Sequence, residues 1–158
     1  MSLPKVNELE ENQVHDEKVQ VVAFHLAGAE YAVEIKYIEE INRLINITRV
    51  PRAPFYIEGV INLRGSIIPI INLHKKFNLA GQNFDERTRV IIFGIDNIKA
   101  AIIVDKVSGV MRLDVANIVE DNQFFSPINT EVIKGMIKVE DRLMIILDLE
   151  KMLDTEIN

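Results

Sequence analysis

The stretch VPRAPFYIEGVINLRGSIIPIINL, residues 50–73, decides the fold of this chain. An apolar run rich in β-branched residues stands on each side of Arg64-Gly65-Ser66. β-branched side chains fit a pleated sheet and glycine supplies the φ > 0 of a tight turn, so the stretch predicts a β-hairpin. Alternation along a strand displays Asn62 and Arg64 together beside that turn. They are either solvated turn residues or part of a binding surface, and the spacing leaves both interpretations open.

Short strands and tight turns continue through the rest of the chain. Asp96-Asn97 and Glu140-Asp141 each separate two apolar runs and predict further hairpins. Isoleucines at 35, 38, 41 and 45 predict a short helix that grades into a strand, and a short helix is expected at 149–155. Valines at 104, 107 and 110 suggest one helical turn before another strand. The chain is therefore predicted to be all-β with short helices, built as one or two small barrels.

Length, charge and composition narrow the classes of function. The chain has 158 residues and a net charge of −6, which argues against a partner with a phosphate backbone. It contains no cysteine, which removes disulfides, zinc–thiolate sites and thiol nucleophiles and fits a cytoplasmic protein. No apolar run is long enough to cross a bilayer, so no membrane insertion is expected. Residues 1–17 are polar and acidic, and we expect a disordered tail there.

A catalytic constellation is missing from the sequence pattern. His15, His25 and His74 lie in the tail, a strand and a turn, without the spacing of metal ligands or of a nucleophile with its base. The glycines are scattered singly, so they form no phosphate-binding loop. We therefore expect no catalytic residue, no metal site and no cofactor. Of the functions considered, this leaves an interaction module without a nucleic-acid partner. The side chains of Phe124 and Phe125 are expected to pack beneath their own loop.

The order of four short strings points to a family resemblance. The strings are EYAV (30–33), IEEI (38–41), GVINLRG (59–65) and IPIINL (68–73). Together with the closing LMIILDLEKML they resemble the CheW family of bacterial chemotaxis coupling proteins, and the likeness runs from about Val19 to Leu153. The same strings are shared with the regulatory domain of the histidine kinase CheA and with CheV proteins. This chain has no phosphotransfer, ATP-binding or receiver segment, which favours the stand-alone coupling protein.

The resemblance implies a fold of two packed five-stranded SH3-like β-barrels. It places a CheW-like domain at residues 18–158, with a first barrel at 18–83, a second at 84–148 and a C-terminal helix at 149–155. It leaves open whether the last strand closes the second barrel or returns to the first.

The resemblance also implies a scaffold without catalysis, which joins the cytoplasmic tips of transmembrane chemoreceptors to the regulatory domain of CheA. The receptor-binding positions of the family fall on Ile38, Glu40, Gly59, Asn62 and Arg64. An apolar side chain, a close backbone approach at the glycine and a charged rim suit a groove that seats an amphipathic helix. The alternative for Glu40 and Arg64 is an ion pair with each other that contributes little.

Kinase contact is implied on the second barrel, where Ile103, Val104 and Val107 are expected to supply an apolar surface. Asn72 stands where many members of the family carry aspartate. Two other functions stay open: a CheW-like adaptor of another receptor–kinase pathway, such as one for surface motility, and a small-barrel nucleic-acid-binding or enzymatic domain. The net negative charge and the missing catalytic residues disfavour the nucleic-acid-binding or enzymatic domain.

Overall fold

Strands make up most of the described chain, as the sequence predicts. The structure, a computed structural model, describes residues 17–81, 84–120 and 130–156. Its strands are β1 (Lys18–Leu26), β2 (Ala29–Glu34), β3 (Ile38–Arg43), β4 (Ile57–Leu63), β5 (Ser66–Asn72), β6 (Arg89–Ile95), β7 (Ile98–Val104), β8 (Lys106–Asp114), β9 (Ile133–Val139) and β10 (Arg142–Leu147). The helices are a single turn at Leu73–Lys76, a C-terminal helix at Leu149–Glu156 and short 3₁₀ turns at Ile35–Tyr37, Val115–Asn117 and Thr130–Val132.

The strands form two five-stranded sheets that do not follow the order of the chain. The first sheet has the order β8-β1-β2-β10-β9 and the second has the order β3-β6-β7-β5-β4. The expected division into barrels at 18–83 and 84–148 is therefore wrong, because each sheet takes strands from both parts. The last strand, β10, returns to the first sheet, where it pairs in parallel with β2.

A repeated strand order explains this mixing. Residues 18–76 and residues 89–156 each run through five strands and end in a helix. In each half the first two strands form a hairpin, and that hairpin joins the last three strands of the other half. Each hairpin is joined to the other half by one antiparallel and one parallel pair, namely β1 with β8 and β2 with β10 in the first sheet, and β6 with β3 and β7 with β5 in the second. Parallel pairs need long connections, so no local turn signal in the sequence specifies them.

A short backbone bridge joins the edge strands of each sheet and curls the sheet into a barrel. In the second sheet Thr48, beyond the end of β3, exchanges two backbone hydrogen bonds of 2.9 and 2.8 Å with Val60 of β4. In the first sheet Val119, beyond β8, exchanges bonds of 2.8 and 2.9 Å with Met136 of β9. Closure of this kind satisfies backbone groups that an open edge would leave unpaired.

The apolar core has three layers. One fills the interior of the first barrel around Val21, Ala32 and Met144, and a second fills the other barrel around Ile61, Ile68 and Ile92. The third and largest lies between the barrels and includes Phe24, Tyr31, Phe93 and Ile102. Close packing of both sheets on a shared layer fixes their relative position.

A buried polar bridge also connects the barrels. The His74 side chain is only 4% exposed, and its Nε2 lies 2.8 Å from Oδ1 of Asp105. Oδ2 of Asp105 accepts the backbone N–H of Ala27, in the β1–β2 turn, at 2.9 Å. Nδ1 of His74 lies 3.1 Å from the carbonyl oxygen of Ala80. Asp105 thus ties the helix that follows β5 to a turn of the first barrel.

The predicted hairpin turns are confirmed at residues 64–65, 96–97 and 140–141. The helical turn suggested by the valines at 104, 107 and 110 is wrong, because Lys106–Asp114 is a strand. A register shift opposite Ala23 and Phe24 interrupts its pairing with β1, and a bulge of this kind breaks the simple alternation that reveals a strand. The tail at 1–16 and the phenylalanines at 124 and 125 lie outside the described residues.

Candidate functional site

Arg64 is displayed at the tip of the β4–β5 hairpin. It has a φ of 52° and the following Gly65 has a φ of 86°, the conformation of a two-residue type I′ turn. Oδ1 of Asn62 accepts the backbone N–H of Gly65 at 3.1 Å, so the asparagine side chain stabilises the turn. The Arg64 side chain itself is 73% exposed. The local sequence therefore builds a rigid turn that holds one cationic side chain away from the sheet.

Glu40 on β3 accepts hydrogen bonds from Arg64 through both carboxylate oxygens. Nη1 lies 2.6 Å from Oε2, and Nη2 lies 3.3 Å from Oε1. β3 and β4 stand at opposite ends of the second sheet in strand order, and barrel closure brings these edges together. The forked contact matches the planar guanidinium to the planar carboxylate, which sets the orientation of these two groups relative to each other.

Asn42 completes this cluster. Its Nδ2 donates to Oε1 of Glu40 at 2.8 Å, and we name Glu40, Asn42 and Arg64 together the charged latch. The hydrogen bond from Arg64, followed by that from Asn42, holds the pKa of Glu40 below its usual range. The same contact raises the pKa of Arg64. The pair is therefore fully ionised at neutral pH.

Gly59 is buried beneath the chain's own backbone. A Cβ at this position would lie 2.2 Å from the carbonyl oxygen of Thr48 and 2.8 Å from Cγ2 of Ile47. The close backbone approach expected at this glycine is thus made within the chain, where Thr48 pairs with Val60 to close the barrel. The glycine shapes the surface that carries the latch and does not itself contribute exposed area.

Ile38 lies two residues before Glu40 and is half-buried, in contact with the apolar layer between the barrels. A register shift separates Ile38 from Glu40 on β3, because Glu39 is the extra residue of a bulge. Of the five predicted receptor-binding residues, the structure brings Glu40 and Arg64 into contact. It places Asn62 in the same turn as Arg64, Ile38 at the seam between the barrels and Gly59 beneath the surface.

Two of the three predicted kinase-binding residues cannot form a surface. Ile103 and Val104 lie on β7, the central strand of the second sheet, and both are 0% exposed. Ile103 faces the interior of the second barrel and Val104 faces the layer between the barrels. The expectation that they contact a partner is wrong, since a central strand of a packed sheet is covered on both faces. Val107 on β8 is half-buried against the same layer.

Known proteins share both the sequence and the fold. The CheW-like domain family matches residues 20–156. This chain belongs to the CheW family. Chemotaxis protein CheW of Klebsiella aerogenes is 36% identical over 137 residues, which cover 87% of this chain and 82% of that protein. Chemotaxis protein CheW of Bacillus subtilis is 33% identical over 137 residues, covering 87% of this chain and 88% of that protein.

A solved CheW structure agrees with the arrangement of the two barrels. The crystal structure of the scaffolding protein TtCheW from Thermoanaerobacter tengcongensis superposes with a TM-score of 0.78 at 36% identity. The match covers 85% of this chain and 87% of that one. The predicted resemblance and the predicted fold of two five-stranded SH3-like barrels are both confirmed.

The departure from the CheW pattern at Asn72 has a local explanation. Asn72 is 2% exposed, and its Oδ1 accepts the backbone N–H of Lys75, which caps the single helical turn. Its Nδ2 donates to Oε1 of Glu58 at 2.7 Å, a bond that an ionised aspartate cannot make. Burial opposes the charge of Glu58, but hydrogen bonds from Lys75 and Asn72 outweigh it and hold the pKa of Glu58 below its usual range. The asparagine is thus matched to its glutamate neighbour.

Sequence reasoning missed two features of this surface. Asn42 was missed because the isoleucine spacing predicts a short helix there, whereas residues 40 and 42 share a face only on the observed strand. Ile67, which is 62% exposed on β5 beside the turn, stands in a continuous apolar run of the sequence that does not mark it as a surface residue. Period-two alternation from the buried Ile68 would have placed Ile67 on the outer face.

Residues 17–81, 84–120 and 130–156 show no feature typical of metal binding or of membrane spanning. There, no cluster of three or more His, Cys, Asp or Glu side chains is placed to hold a metal ion. Within the same ranges no helix is both long and apolar enough to span a membrane.

Proposed function

We propose that this protein is a scaffold without catalytic activity that couples transmembrane chemoreceptors to the histidine kinase CheA. Membership of the CheW family supports the class of function, and the charged latch is the observation that carries the assignment to a site. A preformed, ionised pair with a largely exposed arginine, set beside a tight turn, is suited to recognising a charged partner surface. The protein would work in the cytoplasm and reach the receptor array through its partners.

Receptor docking would use the face of the second barrel that carries the latch. Arg64 offers a forked donor to an acidic side chain of a receptor helix, and Glu40 offers an acceptor to a basic one. Ile38 would supply apolar contact where the barrels meet, and Asn62 would hold the turn that presents Arg64. Gly59 would act indirectly, because the absence of a Cβ lets the Thr48 backbone pack directly against it.

The kinase surface is proposed on exposed apolar residues, Ile67 on β5 of the second barrel and Val107 on β8 of the first. Ile67 is the clearest of these, because it is 62% exposed and lies beyond the latch on the same hairpin. Val107 remains a proposed contact, since part of its side chain reaches the surface. A charged residue at Ile67 should weaken binding to the regulatory domain of CheA without disturbing the fold, because this side chain contributes little to the core.

Calorimetric titration tests the proposal directly. The purified protein is titrated with a receptor signalling-tip fragment and, separately, with the regulatory domain of CheA. We expect binding to both. Binding to neither would reject the coupling role and direct the search to another receptor–kinase pathway.

The variant Arg64→Glu then tests the site. It places two carboxylates together at the rim, so we expect receptor affinity to fall by about tenfold or more while kinase affinity stays unchanged. Arg112→Glu is the matched control, because Arg112 is an exposed arginine on β8 of the other barrel. An unfolded Arg64→Glu protein, or equal losses for both arginines, would contradict the assignment.

A further inference from the structure

Glu40 cannot hold its carboxylate in one orientation by itself. The terminal torsion of a glutamate side chain is broad, so rotamer preference does not set the plane of the carboxylate. Arg64 does not set it either, because its long side chain is 73% exposed and stands on a turn. A bidentate contact between two such groups needs a third group to orient one of them.

Asn42 has the position and the chemistry to do this. It lies two residues after Glu40 on β3, so both side chains leave the same face of the strand, and both are half-buried. Its short side chain is held by a paired strand, since Asn42 pairs with Val90 of β6. The amide of Asn42 donates to Oε1 at 2.8 Å and leaves Oε2 free to take the short 2.6 Å bond from Arg64.

We infer that Asn42 is a positioning residue of the receptor-docking site, which fixes the Glu40 carboxylate so that Arg64 is presented in one orientation. This inference rests on the proposed receptor-binding function. The physical basis is preorganisation, because a partner that binds an already ordered ion pair does not have to immobilise the Glu40 and Arg64 side chains. The amide of Asn42 is neutral, so it orients the Glu40 carboxylate without cancelling the negative charge that pairs with Arg64.

Calorimetry on the intact chain with the receptor signalling-tip fragment measures the effect. Asn42→Ala removes the donor, and we expect about fivefold weaker binding, the size of one modest hydrogen bond. Asn42→Asp keeps the shape but opposes Glu40 with a like charge, and we expect a loss of about tenfold or more. Asn46→Ala, at an exposed asparagine four residues further along, is the control and should bind as the unaltered protein does.

Two further measurements separate positioning from simple structural support. In an Arg64→Ala background, Asn42→Ala should cause no additional loss of affinity, because its effect acts through the ion pair. Nuclear magnetic resonance titration of the Glu40 carboxyl, without any partner, should show its pKa rising toward the ordinary value in Asn42→Ala. Affinity for the regulatory domain of CheA should stay unchanged, and the thermal midpoint should fall by no more than the loss of a single modest hydrogen bond produces.

The outcomes distinguish this inference from the function it rests on. If the unaltered protein does not bind the receptor fragment, the proposed function fails and the docking role of Asn42 fails with it. If the unaltered protein binds and Asn42→Ala binds equally well, the positioning role alone is overturned. A fall in thermal midpoint with equal losses for both partners would assign Asn42 to structural support and would also overturn it.

Discussion

Replacing Gly59 by alanine should damage the second barrel far more than the same change at a turn glycine. The backbone of Gly59 has a φ of 151°, a region that residues with a Cβ rarely occupy. The new Cβ would also lie 2.2 Å from the carbonyl oxygen of Thr48, so the Thr48 backbone has to move away. That movement breaks the two hydrogen bonds that join Thr48 to Val60 and close the barrel.

The size of the effect follows from these two contributions. Strained backbone at such a φ costs on the order of 1–3 kcal/mol, and each lost backbone hydrogen bond costs about 1 kcal/mol. Together they predict a decrease of about 3–5 kcal/mol in the free energy of unfolding. Gly65→Ala shares a positive φ of 86° but has open space around the new Cβ, so only about 1–2 kcal/mol is expected there.

Urea unfolding followed by circular dichroism measures the difference. Gly135→Ala is an informative third variant, because Gly135 occupies the matching place in the first barrel and its Cβ would lie 2.8 Å from the carbonyl oxygen of Val119. Its φ is not in the positive region, so its cost should fall below that of Gly59→Ala. If Gly59→Ala costs no more than Gly65→Ala, the account of barrel closure by Thr48 is wrong.

Three further predictions concern the stability of the fold. Asp105→Ala leaves the buried Nε2 of His74 without its carboxylate partner, so it should lower the free energy of urea unfolding by about 2 kcal/mol. A decrease of less than about 0.5 kcal/mol would show that the contact between His74 and Asp105 does not stabilise the fold. Ile103→Ala opens a cavity inside the second barrel, so it should lower the free energy of unfolding by about 3–4 kcal/mol. The folded protein should keep its affinity for CheA, and a loss of that affinity without a loss of stability would assign Ile103 to the kinase surface after all. The hydrogen bond from Tyr37 to Glu150, with burial second, raises the pKa of Tyr37. The unfolded chain therefore loses this proton near pH 10 while the folded chain keeps it, so stability should decline above about pH 10. Tyr37→Phe should make that decline shallower in urea titrations at stepped pH, and the part that stays belongs to Tyr31, whose pKa is raised by burial.

The sequence by itself determined the local parts of this protein. The turns at 64–65, 96–97 and 140–141 were predictable because a short polar or glycine-containing pair between apolar runs marks a tight hairpin, in which at least the first of the two residues has φ > 0 here. The class of fold followed from many such hairpins, and the strings around GVINLRG identified the family. Arg64 and Glu40 were named as a charged rim by the family resemblance that those strings carry, and the strand pattern alone did not pair them.

Only the tertiary structure decided how these parts combine. The two halves exchange hairpins through parallel strand pairs, and such pairs join residues far apart in the chain without any turn between them. That exchange makes β7 a central strand and buries Ile103 and Val104, which look like any other apolar residues in the sequence. Closure of the barrel brings β3 beside β4, and it thereby sets Glu40 and Asn42 against Arg64 and presses Thr48 onto Gly59. Contacts between distant edges of a sheet depend on its curvature, which is a property of the whole fold.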